Sequence, residues 1–416
     1  MNNQNIITNE ELAKAFEGEK SEGRGRAMTK TKKSKKMLVM LIVGICGMIG
    51  GTTMILVSLL VLHKEAVSVE FAKDKDNDSK IIYSKLTGEK LADESMVDAP
   101  VYCIQTPNGT DGARPQSGLN EAGVVFEAIA EAGITRFAAI YQNPTSAVIG
   151  PIRSLRMYYL QWDTPFDCTI VHAGGAADAL AAVASGGYKD LTENYTYMYR
   201  GTYGGRLWNN LFTTSALLRQ YSQDSGNTSS DVKGFARMTP EESLKERVDS
   251  SVGEKLVIVA PASGDVATMT PTVTAVGVRF GGLPNFNVDY TYDAENNTYA
   301  RSYQSGAAHE VYGCSAEDLG EKNPEDVCSL TQLKPSVVVA MVVSEHRASD
   351  NYHEDIASIG SGKAYVFQNG GVVQGSWKKD SAADQIKFTD ADGKEIKLAP
   401  GQTFVSAVPD YGSVDF

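Results

Sequence analysis

The chain has 416 residues, 42% hydrophobic and 22% charged, and its formal net charge is −12 at pH 7. This acidic balance argues against a nucleic-acid-binding protein, because such a surface repels polyanions. The length is sufficient for more than one folded domain.

A long apolar segment lies near the N-terminus, from Met37 to Leu62, and contains no charged residue. About 20 apolar residues suffice to cross a bilayer as a helix. Residues 24–36 carry seven basic residues and no acidic one, so the positive-inside rule places the N-terminus in the cytoplasm. We therefore predict a basic cytoplasmic tail (1–36) and a transmembrane signal anchor (37–62). The lipid bilayer is then a partner, and the remaining chain lies outside the plasma membrane.

A cleaved signal peptide and a lipidation site are weaker interpretations of the apolar segment. A cleaved signal peptide has a shorter apolar region, typically about 7–15 residues, and ends in a small-residue cleavage site, which is not found after Leu62. A lipidation site needs a small residue before the cysteine, whereas Cys46 follows Ile45 inside the apolar run. The uncleaved anchor is the favoured interpretation.

The predicted exported portion is more acidic than the whole chain. Nine basic and five acidic residues precede the anchor, and removing them from the totals of 39 and 51 leaves a formal net charge of −16. An anionic ligand would therefore have to be held by a local cluster of cations.

The exported portion divides by composition into three parts. Residues 63–95 are charged and are predicted to form a stalk. Residues 96–240 alternate short apolar runs with helical patterns, which predicts an α/β domain. Residues 222–231 are polar and rich in turn formers, and after them the period changes to that of strands. We predict a β-rich C-terminal domain over residues 255–416.

Within the first domain, residues 124–142 are predicted to form a hairpin that turns at Ala132 and Gly133. Pro151 is suited to the first position of a helix, and we predict that helix over residues 152–160. A buried strand over residues 168–173, a turn at Gly174 and Gly175, and a helix over residues 176–184 follow. In the second domain the predicted strands are residues 256–260, 273–280, 288–292, 299–304, 337–343, 364–368 and 372–377.

Four cysteines lie in the exported portion, where disulfides are permitted. Cys314 and Cys328 enclose a short polar segment and are the predicted disulfide pair. Cys168 lies in an apolar run and is predicted to be a buried thiol. No CxxC motif occurs, so no metal site is expected.

Several segments together resemble the YerB-like family of bacterial envelope lipoproteins, a family of unknown function. They are ARPQSGL (113–119), VVFEAIAEAGITRF (124–137), IGPIRSLR (149–156), VHAGG (171–175), YTYDAENNTYARS (290–302), IGSGKAYVF (359–367) and GSWKK (375–379). The resemblance implies an α/β N-terminal domain, a β-rich C-terminal domain and an envelope location. It does not imply a reaction.

The chain departs from the family pattern in two respects. The resemblance implies a lipidated cysteine as tether, where this chain has the apolar segment. It also implies a His-Asn pair, where this chain has Asn209 and Asn210.

The candidate site residues are charged side chains near predicted strand ends. In the predicted hairpin Ile129 is opposite Arg136, which places Arg136 on one face with Glu127 and Glu131. These residues form either a structural ionic network or part of an anion site. Arg153 and Arg156 are spaced i, i+3 at the start of the predicted helix, where phosphate or carboxylate binds readily. They either bind an anion or pair with carboxylates.

His172 ends a predicted strand before Gly174 and Gly175. Loops that follow parallel strands gather at one edge of a sheet, so Arg153 and His172 are expected to line one crevice. The predicted anion-binding residues are Arg136, Arg153, Arg156, His172, Gly174 and Gly175, supported by Glu127, Glu131 and Asn210.

Three classes of function fit this pattern. The first is a binding or scaffolding protein of the cell envelope, with envelope proteins or an anionic wall precursor as partners. The second is an envelope enzyme that acts on a phosphorylated lipid-linked or cell-wall substrate through the Arg/His crevice. The third is a transmembrane sensor. No cofactor and no catalytic residue is predicted, because no GxSxG motif occurs.

Overall fold

The computed structural model describes residues 81–202, 207–247, 273–314 and 323–416. The described residues all belong to one compact unit, which lies within Lys80–Phe416. The predicted tail, the predicted anchor, most of the predicted stalk and the predicted strand 256–260 lie outside the described residues. Within the described ranges no helix is long and apolar enough to cross a membrane.

The described chain is rich in strands and has few helices. The strands are β1 (Val101–Pro107), β2 (Val124–Glu131), β3 (Ile134–Gln142), β4 (Thr169–His172), β5 (Lys189–Thr192), β6 (Tyr199–Arg200), β7 (Leu211–Phe212), β8 (Ala275–Arg279), β9 (Val288–Asp293), β10 (Thr298–Tyr303), β11 (Glu310–Gly313), β12 (Ser329–Gln332), β13 (Val337–Val343), β14 (Glu345–Arg347), β15 (Glu354–Ile356), β16 (Gly360–Gln368), β17 (Gly371–Lys379), β18 (Lys387–Thr389), β19 (Thr403–Pro409) and β20 (Ser413–Asp415). The α-helices are α1 (Met157–Asp163), α2 (Ala177–Ala184), α3 (Ser215–Ser225), α4 (Pro240–Glu246) and α5 (Pro324–Val327), and short 3-10 helices include Leu119–Glu121 and Leu207–Asn209.

A ten-stranded sheet organises the fold, in the order β18-β17-β16-β13-β19-β2-β3-β1-β4-β5. Its last strands, β4 and β5, are parallel and connected by helix α2, which is the α/β character predicted for this region. Strand β19 runs parallel to β13 on one side and to β2 on the other. The two regions that composition separates therefore share one sheet. A second sheet has the order β10-β9-β8-β20.

Helix α1 covers one face of the ten-stranded sheet with aromatic side chains. Trp162 stacks on Phe126 of β2 at 5.3 Å between ring centroids, and Tyr159 meets Trp162 edge to face at 5.8 Å. Burial of each such ring removes a large apolar area from water and stabilises the folded state by roughly 25 cal/mol per Å² of that area. This packing fixes the start of α1, where the candidate site lies.

The predicted hairpin is present and turns at Ala132 and Gly133, which both have positive φ angles of 49° and 77°. Two successive residues of this kind are typical of a two-residue type I′ turn. The predicted pairing beyond the turn is wrong, because a bulge at Ala130 places Arg136 opposite Ala128. One extra residue reverses the faces of a strand, so Glu127 does not share a face with Arg136.

The predicted helix over residues 152–160 is also wrong in its first half. Residues 151–155 are extended, and the helix begins only at Met157. The backbone of Ile152 donates to the carbonyl of Leu211 at 2.7 Å, and that of Leu155 donates to Gly174 at 3.0 Å. These pairings with neighbouring segments outweigh the local preference of Pro151 for a helix start.

Two disulfides are present among the described residues. Cys314–Cys328 is the predicted pair. Cys168 is not a free thiol as predicted, because it forms a disulfide with Cys103 of β1. Strands β1 and β4 are parallel neighbours, which brings the two Cα atoms to 5.8 Å, a normal separation for a disulfide.

Candidate functional site

The extended segment 151–155 places Arg153 beside the turn that follows β4. The backbone N–H of Arg153 donates to the carbonyl of Gln105 at 2.7 Å, and the carbonyl of Arg153 accepts from Ala173 at 3.0 Å. The segment around Arg153 and the turn after β4 therefore lie side by side, as predicted. Strand-like backbone hydrogen bonds hold them together, and not the start of a helix.

Glu131, at the end of β2, binds two of the three candidate arginines. Its Oε1 lies 2.7 Å from Nη2 of Arg136, and its Oε2 lies 2.7 Å from Nη2 of Arg156. Burial alone would raise the pKa of Glu131, but the two guanidinium groups lower it below the ordinary value. The Nη1 of Arg136 donates to the carbonyl of Ser154 at 2.8 Å. Arg136 and Arg156 thus join the hairpin to the segment before α1.

Arg153 differs from the other two arginines. Its Nη1 donates to the carbonyl of Trp208 at 2.7 Å, and none of the described carboxylates lies within salt-bridge distance of it. Partial burial lowers the pKa of Arg153, while Glu131 and Asp111 act at longer range to raise it. The guanidinium is half-buried at the surface and keeps its positive charge.

His172 is not in the crevice with Arg153 as predicted. Its ring is buried between two acceptors, the carbonyl of Gly174 at 2.7 Å from Nδ1 and Oδ1 of Asp190 at 2.8 Å from Nε2. Gly174 has a φ angle of +65°, which suits the turn. A Cβ at Gly175 would lie 3.1 Å from the carbonyl of Leu155, so this position must stay small for the two segments to approach.

The two remaining supporting residues have partners elsewhere. The Nδ2 of Asn210 donates to the carbonyl of Gly201 at 2.7 Å, and its Oδ1 accepts from Arg200 at 3.0 Å. Glu127 pairs with Arg301 at 2.7 Å on the other side of the sheet. Neither side chain reaches the arginines of the candidate site.

An exposed tryptophan stands next to Arg153, and no local pattern in the sequence distinguishes it. Trp208 is 51% exposed, and its Nε1 donates to Oδ2 of Asp111 at 3.1 Å. Asn209 donates to Oδ1 of the same carboxylate at 3.2 Å. Tyr352, which is also exposed, interacts electrostatically with Arg153. These neighbours are far apart in the sequence, so only the fold assembles them.

A cavity of about 700 Å³ is lined in part by Arg156. It lies between the starts of α1 and α2 and the hairpin β14–β15, and its volume is in the range of ligand sites. Its walls carry more acidic than basic side chains, so its own charge does not favour an anion. The lining residues are Arg156, Met157, Tyr158, Gln161, Ala176, Ala177, Asp178, His346, Arg347, Ala348, Ser349, Asp350, His353, Glu354, Asp355 and Ile356.

Comparison with known proteins identifies the family. Residues 86–228 match the N-terminal domain, and residues 276–405 the C-terminal domain, of the family described as "Protein of unknown function (DUF3048)". The chain belongs to the DUF3048 family. The YerB-like resemblance is thereby confirmed.

DUF3048 relatives include a protein of Bacillus subtilis (strain 168) named "Putative lipoprotein YerB". This chain is 27% identical to it over 337 residues, which are 80% of this chain and 88% of the relative. The crystal structure of YerB protein from Bacillus subtilis is similar with a TM-score of 0.62 and 23% identity, over 80% of this chain and 100% of that chain. The structural likeness shows a common fold.

Three of the segments that carry the DUF3048 resemblance meet in a buried polar network. Arg301 binds Glu127 through Nη2 at 2.7 Å and donates through Nε to Nδ1 of His309 at 2.9 Å. Burial, and then the charge of Arg301, keeps the pKa of His309 well below its ordinary value. The neutral ring therefore accepts on Nδ1 and donates from Nε2 to Gln116 at 3.0 Å. Every partner is satisfied internally, which indicates a structural role.

Proposed function

We propose that this DUF3048 protein is a membrane-tethered, extracytoplasmic binding protein of the bacterial cell envelope, and that it takes an anionic ligand at Arg153. The observation that carries the proposal is the surface position of Arg153 without a paired carboxylate among the described residues. The relative named as a lipoprotein supports an envelope location. The apolar segment 37–62 supports a membrane tether.

Local charge supports an anion as the ligand. Arg136, Arg153 and Arg156 lie around two carboxylates, those of Glu131 and Asp111. Glu131 pairs with both Arg136 and Arg156, and acidic side chains line the cavity beside Arg156, so the uncompensated positive charge is that of Arg153, which has no carboxylate within salt-bridge distance among the described residues. Such a site concentrates an anion where the rest of the surface repels it.

The enzymatic alternative requires a proton-transferring group beside the arginines. The sequence predicts His172 in one crevice with these arginines, and its ring instead faces Asp190 and the carbonyl of Gly174. We therefore propose binding without turnover.

Thermal unfolding of residues 80–416, which form one compact unit, tests the binding site. Phosphate, pyrophosphate or citrate at a hundredfold excess over its dissociation constant stabilises the wild type by about 2.7 kcal/mol. Arg153→Ala keeps the unliganded stability and loses this gain, because its guanidinium binds no buried carboxylate. Lys378→Ala, which removes an exposed lysine paired with Asp380, is the matched control and keeps the gain. Equal stabilisation of Arg153→Ala and wild type would exclude this site.

Protease treatment of intact protoplasts tests the tether. Protease removes the portion after His63, while residues 1–36 stay protected inside. Release of the whole folded unit into the medium without membrane disruption would contradict the anchor.

A further inference from the structure

Arg114 lines a second cavity, of about 480 Å³, in which Arg153 takes no part. This volume is in the range of ligand sites. Arg114 supplies the one charged side chain among the described residues of the wall, so the local charge favours an anion, in contrast to the cavity beside Arg156. The other lining residues are Thr110, Pro284, Asn285, Tyr303, Gln304 and Ser305.

The guanidinium of Arg114 is held by two aromatic rings and two hydrogen bonds. Its Cζ lies 4.0 Å from the ring centroid of Tyr303 and 4.9 Å from that of Phe286. Its Nε donates to Oδ1 of Asn108 at 2.9 Å, and its Nη1 donates to the carbonyl of Asn285 at 3.2 Å. A cation that is fixed before binding loses little conformational entropy when a ligand arrives.

Two polar atoms in the side chains of this wall have no hydrogen-bond partner in the part of the chain that the structure describes. They are Nη2 of Arg114 and the hydroxyl oxygen of Tyr303, and both are shielded from solvent. Burial raises the pKa of Tyr303 to about 12, so its hydroxyl keeps the proton and is a donor like Nη2. Buried donors without an acceptor destabilise a fold, and each calls for an explanation. Two of them on one cavity wall indicate an acceptor that is bound from outside the chain.

The positive charge of Arg114 is also uncompensated among the described residues. The buried carboxylate of Glu127 binds Arg301 at 2.7 Å, and no described carboxylate lies within salt-bridge distance of Arg114. Burial lowers the pKa of Arg114, against smaller opposing effects of Tyr303 and Glu127. An arginine stays protonated even so. A bound anion would therefore supply both the missing charge and the missing acceptor.

We propose that this cavity binds a carboxylate, whose two oxygens accept from Nη2 of Arg114 and from the hydroxyl of Tyr303. A carboxylate carries one negative charge, which balances that of Arg114, whereas a phosphate monoester carries about 1.5–2 at pH 7. The rest of the ligand contacts uncharged groups of the wall. Because both donors are shielded, uptake includes a movement of the turn at Gln304 and Ser305, whose side chains are exposed. This site shares no residue with the anion site at Arg153.

Nuclear magnetic resonance of residues 80–416 tests the carboxylate site. The Nε–H signal of Arg114, identified by its absence from Arg114→Lys, reports binding at this position directly. The probes are acetate, N-acetylglycine and N-acetylglycylglycine, and N-acetylglycinamide is the neutral counterpart. We expect the three carboxylates to shift the Arg114 signal and the amide to leave it in place. Tighter binding of N-acetylglycylglycine than of acetate would assign the end of a peptide chain as the source, and equal binding a small free acid.

Substitution of Tyr303 separates binding from folding. Tyr303→Phe removes a hydroxyl that has no partner among the described residues, so it should not destabilise the fold, while carboxylate affinity falls at least about tenfold with the loss of a charge-assisted hydrogen bond. Tyr365→Phe, in β16 and outside the cavity wall, is the matched control and keeps the affinity. Arg153→Ala loses the stabilisation by phosphate and still shows the shift of the Arg114 signal.

Equal carboxylate affinity of Tyr303→Phe and wild type would overturn the inference, as would an Arg114 signal that no carboxylate shifts. A phosphate affinity that falls in Tyr303→Phe while carboxylate affinity does not would also overturn it and assign phosphate to the cavity. The proposed function is judged separately, because stabilisation of the wild type by phosphate and its loss in Arg153→Ala do not depend on Arg114 or Tyr303.

Discussion

The pair Arg301–Glu127 is the most deeply buried ionic contact among the described residues. Both side chains are fully buried, and they connect β10 of the smaller sheet to β2 of the larger one. We predict that Arg301→Ala destabilises residues 80–416 by about 3–5 kcal/mol, because it leaves a buried carboxylate without its cation. Urea unfolding measures this loss. Lys378→Ala, which breaks an exposed pair, is the control and should not change the midpoint.

An equal effect of the two substitutions would contradict the role assigned to the network. The comparison matters because the network contains residues from three segments of the family resemblance. A large loss of stability for Arg301→Ala would show that the segments of the family resemblance in this network serve the fold.

Glu345, at the start of β14, is a buried acid with no cation bound to it among the described residues. Its Oε1 accepts from Tyr411 at 2.9 Å, and its Oε2 has no hydrogen-bond partner in the same part of the chain. Burial raises the pKa of Glu345 to about 7, against a smaller lowering by the Tyr411 hydrogen bond. An acid with a raised folded pKa contributes stability below its unfolded pKa and loses that contribution as the pH rises through 7.

We therefore predict that Glu345→Gln matches the wild type near pH 5 and becomes more stable than it at pH 8, by about 2–4 °C in Tm. Thermal denaturation between pH 5 and pH 8 measures the difference. Asp380→Asn, which alters an exposed carboxylate, should show no such trend. A difference between Glu345→Gln and wild type that does not vary with pH would refute the assignment.

Among the elements, the two disulfides close loops of very different length. Cys103–Cys168 spans 65 residues and Cys314–Cys328 spans 14. Loop-closure entropy in the unfolded chain predicts a loss of about 4 kcal/mol without the first disulfide and about 3 kcal/mol without the second. Paired Cys→Ala variants of each disulfide, unfolded in urea under oxidising conditions, measure the two losses. A greater loss for the shorter loop would show that native packing dominates over loop length.

The elements also show which parts of the fold local sequence encodes. The hairpin turn at Ala132 and Gly133 is predictable, because a two-residue turn has a local signature. The bulge at Ala130 has no such signature, and it alone moves Glu127 away from Arg136. Segment 151–155 satisfies the local rules for a helix start, and only its partners Leu211 and Gly174 hold it extended.

The candidate site also combines features that the local sequence predicts with features that depend on distant residues. That Arg153 lies beside the turn after β4 follows from the order of strands, whereas the inward orientation of His172 depends on Asp190 of β5. Trp208 and Asp111 lie 97 positions apart, and Arg301 and Glu127 lie 174 apart. No pattern of spacing in one sequence relates residues at such separations.

At the scale of the whole molecule, strand β19 is absent from the strands predicted by periodicity, yet it joins the two regions of the chain in one sheet. It lies between β13 and β2, pairing Thr403 with both Val337 and Val124. The Arg301–Glu127 pair crosses between the same two regions. Residues 80–416 should therefore unfold in one cooperative transition, although composition suggests two domains.

We predict that neither residues 80–247 nor residues 273–416 fold alone. The first fragment would expose the edge of β2 and would lose the contact of Phe137 with Phe404, and the second would leave Arg301 buried without its carboxylate. Near-UV circular dichroism and urea titration of each fragment should show no native signal and no cooperative transition, while co-expression should restore both. The control is residues 80–416 expressed as one chain. A cooperative transition with native near-UV signal in either fragment would show that its core is independent and that β19 only docks two domains. Arg136, Arg153 and Arg156 all belong to the first fragment. If that fragment folded alone, it should therefore also bind the anion without the second fragment.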